Sequence, residues 1–394
     1  MKPAQIKVLL KVLLKVHSKA QRKAQSGVAL ISAMLVVSFV ATLASVALWQ
    51  QWRHVEVETA ERQRVQSSWL LNGAFDWTRL ILREDALAGV AGSSLTSAGG
   101  PMSASGGVDH LGEPWALPLK EAKLSTFLSQ DKQLREGDPE VFLSGQVTDA
   151  QSRMNLTQWV EPSDGKGPPR LSANMQLSLS RLFSVLGLPA TELETMARGW
   201  LAATHAARQR TLNNPSNPSN SQLIAGNSAG INGAQATTGG ALGASALLPQ
   251  HIAQLQWLGV QAQTVASLAP YLTILPEPTP LNLNTASAEV IYAAVPGLDL
   301  SSAQKFVQGR AASHFDNLSN AAKALGVKSL DSAQFSLGSR YFEVWGRLRL
   351  EDRTQEETAL ILRDAGNTSF VWRYKISGIR PPANQESLLQ SNKP

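Results

Sequence analysis

The chain has 394 residues, which suits two or three domains, and 43% hydrophobic against 17% charged residues exclude a wholly disordered protein. It contains no cysteine, which excludes a thiol nucleophile, an iron–sulfur cluster, a cysteine-based zinc site and a disulfide framework. The formal net charge is +6, but Lys2, Lys7, Lys11, Lys15, Lys19, Arg22 and Lys23 stand in the first 27 residues with no acid among them, and the other 29 cations face 30 acids. The basicity therefore belongs to a leader, not to a nucleic-acid surface.

Val28 to Trp49 carries no charge, glycine or proline. About twenty such residues cross a bilayer as a helix. Trp49 and Trp52 fall where an interfacial aromatic belt would lie, and the cationic leader places the N-terminus in the cytoplasm by the positive-inside rule. A secretory signal peptide fits poorly, because the apolar run is too long and no small-residue cleavage site closes it. From Gln50 to about Leu87 there is no proline and only Gly73, so the helix is predicted to continue. Sixty helical residues would make a rod of roughly 90 Å. Val65, Trp69, Gly73, Trp77 and Leu80 paint one apolar stripe, expected to cover the core of a globular part.

Residues 88–107 and 211–245 are rich in Gly, Ser, Ala and Asn and are predicted to be loops. Between them, Glu140 to Asp149 has a strand pattern, and residues 171–186 and 189–207 have helical texture. Helical patterns resume over 249–268. The prolines from Pro276 to Pro280 then hold the chain extended. Thr285 reads as an N-cap with Glu289 in the first turn of its helix. Val295, Pro296, Gly297 and Leu298 turn into a second helix, Ser301 to Arg310, which makes a helix–hairpin–helix pattern. At the C-terminal end, Phe342, Val344, Leu348 and Leu350 face one way against Glu343, Arg347 and Arg349. Phe370, Trp372, Tyr374 and Ile376 alternate with Val371, Arg373 and Lys375, and 358–362 is a short apolar run between the two. Three such strands predict an antiparallel meander.

Catalytic signals are weak. Gly226, Ser228 and Gly230 match a G-x-S-x-G elbow, but they sit in a low-complexity tract without the strand and helix that the motif needs. None of the six histidines lies at metal-ligand spacing from another. No residues support an enzyme. The hairpin is the strongest binding candidate, since DNA-binding versions present a bare Gly-hydrophobic-Gly turn to phosphate. Here Asp299 takes the place of the second glycine and would repel phosphate, with Lys305 and Arg310 the only cations near it.

A basic leader ending Gln25, Ser26, Gly27, then Val28, Ala29, Leu30, Ile31 and a spanning helix, resembles a type IV prepilin. The resemblance implies cleavage by a prepilin peptidase between Gly27 and Val28. It also implies a Glu at the fifth mature position, which is Ser32 here. A carboxylate in lipid is costly unless paired, so its absence suits a subunit with no partner above it. Asp149 to Leu156, the Asn282, Asn284, Thr285 motif, Pro296 and Gly297, and a helix ending in Arg310 are similar to the K-type minor pseudopilins of type II secretion. That family carries acids after a tryptophan that help to bind calcium. The matching stretch, Trp200 to His205, has none. No cofactor or metal is therefore expected, with calcium left open through Asp149, Asp164 or Asp299.

The resemblance implies an α+β pilin-like fold, with a long N-terminal transmembrane helix packed on an antiparallel sheet. Into it a large all-helical insert with a helix–hairpin–helix-like motif would be spliced. The expected divisions are a leader (1–27), a span (28–49), a first pilin part (50–160), an insert (161–332) with a disordered 211–245 loop, the C-terminal strands (333–380) and a tail (381–394). The implied function is non-enzymatic: a minor pseudopilin at the pseudopilus tip, anchored once in the inner membrane with its body periplasmic, initiating assembly and supporting export. Implied partners are minor pseudopilins I and J, then H and the major pseudopilin, the prepilin peptidase and the inner membrane, with no nucleic acid. The alternative is a membrane-anchored periplasmic DNA receptor built on the same hairpin.

Overall fold

The computed structural model describes residues 3–93, 107–124, 140–161, 169–213, 247–350, 353–364 and 366–376. The expected loop over 211–245, the G-x-S-x-G match, Asp164 and the 381–394 tail lie almost wholly outside them. Contacts divide the chain into two units, Met1–Ser67 and Ser68–Pro394.

The first helix, α1, runs Pro3–Ser93. It continues about five residues past the expected start of the first loop at residue 88. Within the first unit the side chains from Val28 to Trp49 are all exposed. This is the only helix among the described residues long and apolar enough to cross a membrane. A surface of that kind is stable only against lipid or other apolar helices.

In the second unit, alternating residues build a five-stranded antiparallel sheet in the order β1 (Leu119–Lys123), β2 (Val141–Asp149), β7 (Tyr341–Leu350), β8 (Arg353–Asp364), β9 (Asn367–Ile376). The last three form the expected meander, and Phe342, Val344, Leu348 and Leu350 do share one face. That face packs against Leu71, Phe75 and Leu82 of α1. Gly346 is the contact point: a Cβ there would lie 3.4–3.5 Å from Phe75 and Leu71. The missing side chain lets the helix approach the strand.

Two sequence expectations are corrected here. The stripe of Trp69, Gly73, Trp77 and Leu80 does not cover the core. Trp69 is 71% exposed, Trp77 60% and Leu80 48%, and Val65 in the first unit is exposed too. A second set at similar spacing, Leu71, Phe75, Leu82 and Ala86, is buried instead. The helix has two apolar faces, and periodicity alone does not say which one meets the sheet. The second correction is in β9. A bulge at Val371 pairs Ile361 with Phe370 but Leu360 with Trp372. Phe370 meets Phe75 edge-on at 6.4 Å, and the Arg373 guanidinium lies 4.6 Å over the Phe75 ring. Trp372 and Tyr374 turn to the other face and contact His251. A slip of one residue exchanges the faces of every side chain beyond it.

The chain leaves the sheet at Asp149 and returns at Tyr341, on adjacent strands where Asp149 pairs with Phe342. The excursion is mainly helical: α2 (Ala173–Val185), α3 (Ala190–Asn213), α4 (Ala262–Leu268), α5 (Ala288–Ala294), α6 (Leu300–Ala312) and α7 (Leu318–Leu325). Two short parallel pairs accompany them, β3 (Met154–Asn155) with β4 (Leu272–Thr273), and β5 (Leu281–Asn282) with β6 (Phe335–Ser336). The excursion has its own core, centred on Trp159, Leu182, Met196, Trp200, Leu283 and Ile291. Gly199 allows α3 to touch the 3-10 turn Ile252–Leu258, where a Cβ would come within 2.7 Å of the Leu258 Cβ.

Candidate functional site

The residues that the sequence singled out in the excursion gather where it joins the sheet. At the end of β2, the Asp149 carboxylate accepts the Gln151 N–H at 2.7 Å and so caps the 3-10 turn that lifts the chain off the sheet. Its other oxygen accepts the Thr285 hydroxyl at 2.5 Å, the Ser339 hydroxyl at 2.6 Å and the Asn282 amide at 3.0 Å. Burial pushes the Asp149 carboxyl up, while these donors pull it down. Burying a carboxylate costs several kcal/mol, and only a full set of donors offsets it. One side chain therefore ties three separate segments of the chain together.

Thr285 does not cap a helix, contrary to expectation. Ser287 is the N-cap of α5, accepting the Val290 N–H, and the Thr285 hydroxyl is spent on Asp149. Asn282 turns its oxygen to the Asn284 N–H at 2.9 Å. Asn284 exchanges two hydrogen bonds with the Phe315 backbone, at 3.0 and 3.1 Å. The buried Arg310 donates to the Leu283 carbonyl. Asn155, in the segment after Asp149, accepts from Leu275 N and Thr157 N and donates to Glu277 O and Thr279 Oγ1. Each polar side chain in the Asn-Leu-Asn-Thr run thus serves a backbone or buried partner.

A second cluster adjoins the first through Ser339, whose N–H reaches Asp109 at 2.6 Å. Arg363 of β8 holds both Asp109 oxygens, at 2.5 and 2.6 Å, and reaches Asp85 of α1 at 2.7 Å. Burial pushes Asp109 up to about 8 against the pull of Arg363. Sequence reasoning missed Asp85, Asp109, Ser339 and Arg363. They come from four separated segments, and no local pattern links them.

The remaining sequence candidates lie elsewhere. Pro296 and Gly297 form the exposed turn between α5 and α6, and Gly297 adopts φ 78°, a left-handed conformation that suits glycine. Arg181 of α2 grips that turn through the carbonyls of Val295 at 2.5 Å and Leu298 at 2.6 Å. Asp299 caps α6, accepting the Ser302 N–H at 3.1 Å and the Ser301 hydroxyl, and these bonds hold its carboxyl well below the usual range. The turn therefore presents an anion where a phosphate would have to sit, and Arg310 is buried. Gly27, Val28 and Ser32 belong to the helix of the first unit. Val28 is exposed, and the Ser32 hydroxyl bonds to the Ala29 carbonyl at 3.0 Å.

Among the described residues, the stretch expected for calcium does not offer a fitting ligand set. Trp200 is buried and stacks on Trp159 with centroids 6.3 Å apart, and the stretch around it supplies no carboxylate. Asp85, Asp109 and Glu113 converge, but the cation among them is Arg363. Calcium requires six or more oxygens.

Residues 281–338 match the family model of type II secretion system protein K. Over 339 residues the chain is 27% identical to type II secretion system protein K of Pseudomonas aeruginosa PAO1, covering 84% of this chain and 86% of that one. The chain is thus similar to protein K over most of its length. The matched segment starts at the Asn282 motif and stops one residue before Ser339, so it holds the excursion's half of the junction. A chain of the crystal structure of the GspK–GspI–GspJ complex from the enterotoxigenic Escherichia coli type 2 secretion system is similar at 16% identity and a TM-score of 0.49. The comparison covers 81% of this chain and 99% of that one.

Proposed function

We propose that the protein is a non-enzymatic minor pseudopilin at the tip of a type II secretion pseudopilus, where it initiates assembly and supports export. The observation that carries this reading is α1. Its span is long enough for a membrane, and beyond the span its sheet-facing side is fully used while Trp69, Gly73, Trp77 and Leu80 remain on the outside. A Cβ on Gly73 would meet nothing, so no internal packing requires a glycine there. Two exposed tryptophans flanking a notch suit another helix. The implied neighbours are minor pseudopilins of the I and J types, followed by H and the major pseudopilin. Ser32 in place of a carboxylate fits a subunit that accepts none above it, with the N-terminus cytoplasmic and the body periplasmic. The DNA-receptor alternative is disfavoured by the Asp299 cap and the buried Arg310.

The experiment is co-expression with a prepilin peptidase, followed by intact mass and N-terminal sequencing. The expected result is a mature chain beginning at Val28. An uncut chain would make the leader a plain topogenic anchor and remove the prepilin reading.

A further inference from the structure

Inside the excursion, the first two turns of α2 stand over β3 and the β5–β6 pair and leave a half-open cavity of about 140 Å³. Its floor is apolar: Met154, Met175, Leu281 and Phe335 are all buried. Its rim is polar and uncharged. Ser172 and Ser178 flank Met175 at three-residue spacing on α2, Asn174 stands one turn from Ser178, and Gln334 precedes β6. Ser172 holds the N-cap position of α2 but makes no side-chain capping bond. Among the described residues, the side chains of Asn174, Ser178 and Gln334 make no hydrogen bond to the protein either. Gln158 gives its Nε2 to the Thr279 carbonyl at 2.6 Å and keeps its Oε1 uncommitted. Among the described lining residues Arg153 alone is ionised, and Glu343 holds it at 2.8 Å.

We propose that this cavity is a binding site for one ring of a neutral saccharide. The lining disfavours the other ligand classes in turn. A carboxylate or phosphate would find its one cation already held by Glu343, and taking that cation would strand the acid. An ammonium would find no free anion. A purely apolar ligand would take the rim hydroxyls and amides out of water without giving them partners, which is costly. A saccharide ring supplies both needs: C–H faces for Met175 and Phe335, and hydroxyls round its edge for the rim. Adjacent ring hydroxyls match a carboxamide, which offers a donor and an acceptor side by side.

The volume fits as well. An apolar cavity of about 150 Å³ in another protein holds a benzene ring. A cavity of about 140 Å³ therefore takes one six-membered ring, and its open side lets the rest of the sugar chain emerge. The walls are already fixed. The Asn155 amide ties β3 to the backbone at Leu275 and Glu277, and Arg181 of α2 bonds the carbonyls of Val295 and Leu298. A site that need not reorganise loses less on binding. It involves neither the leader nor the outer face of α1, so it stands or falls apart from the pseudopilin reading.

The test uses the full chain in micelles of a detergent without a sugar head group. Triacetylchitotriose and maltotriose are the probes, followed by saturation-transfer NMR and by titration at millimolar concentration. The account expects saturable binding of at least one of them. Ser178→Leu fills the cavity and should abolish that binding. Asn174→Ala with Gln334→Ala removes two rim amides and should weaken it about tenfold. Both of those residues are exposed, so the double variant decides if Ser178→Leu does not fold. No saturable binding of either probe, or binding untouched by the double variant, overturns the proposal. So does a site that takes inorganic phosphate, or an acetylated Ala-Asn-Ala amide, and neither sugar.

Discussion

The sheet body is fastened to α1 and to the helical excursion by different mixtures of contacts. Toward α1 the contact is mostly apolar, with Leu71, Phe75 and Leu82 on Phe342, Val344 and Leu348. Toward the helical excursion a small apolar cluster of Ala150, Leu275, Tyr341 and Leu360 is joined by buried polar groups converging on Asp149. Apolar contact scales with area and tolerates change of shape. A buried carboxylate does not, because removing one partner strands all the others. The excursion's position is therefore set by a few exact bonds as well as by packing, while the helix's position is set mainly by packing.

Breaking the polar side should have the largest effect. Asp149→Ala leaves the Thr285 and Ser339 hydroxyls, the Asn282 amide and the Gln151 N–H without their acceptor, a loss of about 4 kcal/mol. Chemical denaturation of the full chain in micelles should show it, together with faster hydrogen exchange over 281–285 and 337–340. Phe75→Ala removes a fully buried ring from the apolar side and should cost about 3 kcal/mol. That loss should not depend on pH between 5 and 7.5, since only apolar surface is removed. Gly346→Val inserts bulk where Phe75 and Leu71 lie 3.4–3.5 Å from the position of a Cβ, and should cost about 2 kcal/mol by overpacking. A loss as large as that of Asp149→Ala would blur the distinction between the two interfaces. The smallest effect on stability belongs to Trp69→Ala with Trp77→Ala, under about 0.5 kcal/mol each, because both rings are exposed.

The legibility of these features differed for a physical reason. The long apolar helix, β2, the terminal meander and the helices on either side of Pro296 and Gly297 were readable because apolar periodicity is local. The same signal failed on α1, where two apolar stripes run side by side and the choice between them depends on Gly346 in a strand far along the sequence. It failed again in β9, where a bulge at Val371 leaves no mark in composition. Asn282, Asn284 and Thr285 were visible as a motif, but their task was not, since Asp149 lies 133 residues from Asn282 and Arg363 lies 254 from Asp109. Hydrogen bonds between distant segments have no periodicity.

The central claim is that one face of α1 is used inside the chain and the other is reserved for a partner. The most direct measurement is co-purification of the full chain from membranes with the I- and J-type pseudopilins proposed as its neighbours, comparing wild type with Trp69→Ala/Trp77→Ala. The account predicts a variant that folds, resists heat like the wild type and no longer holds its partners. A variant that retains them at wild-type yield would contradict it.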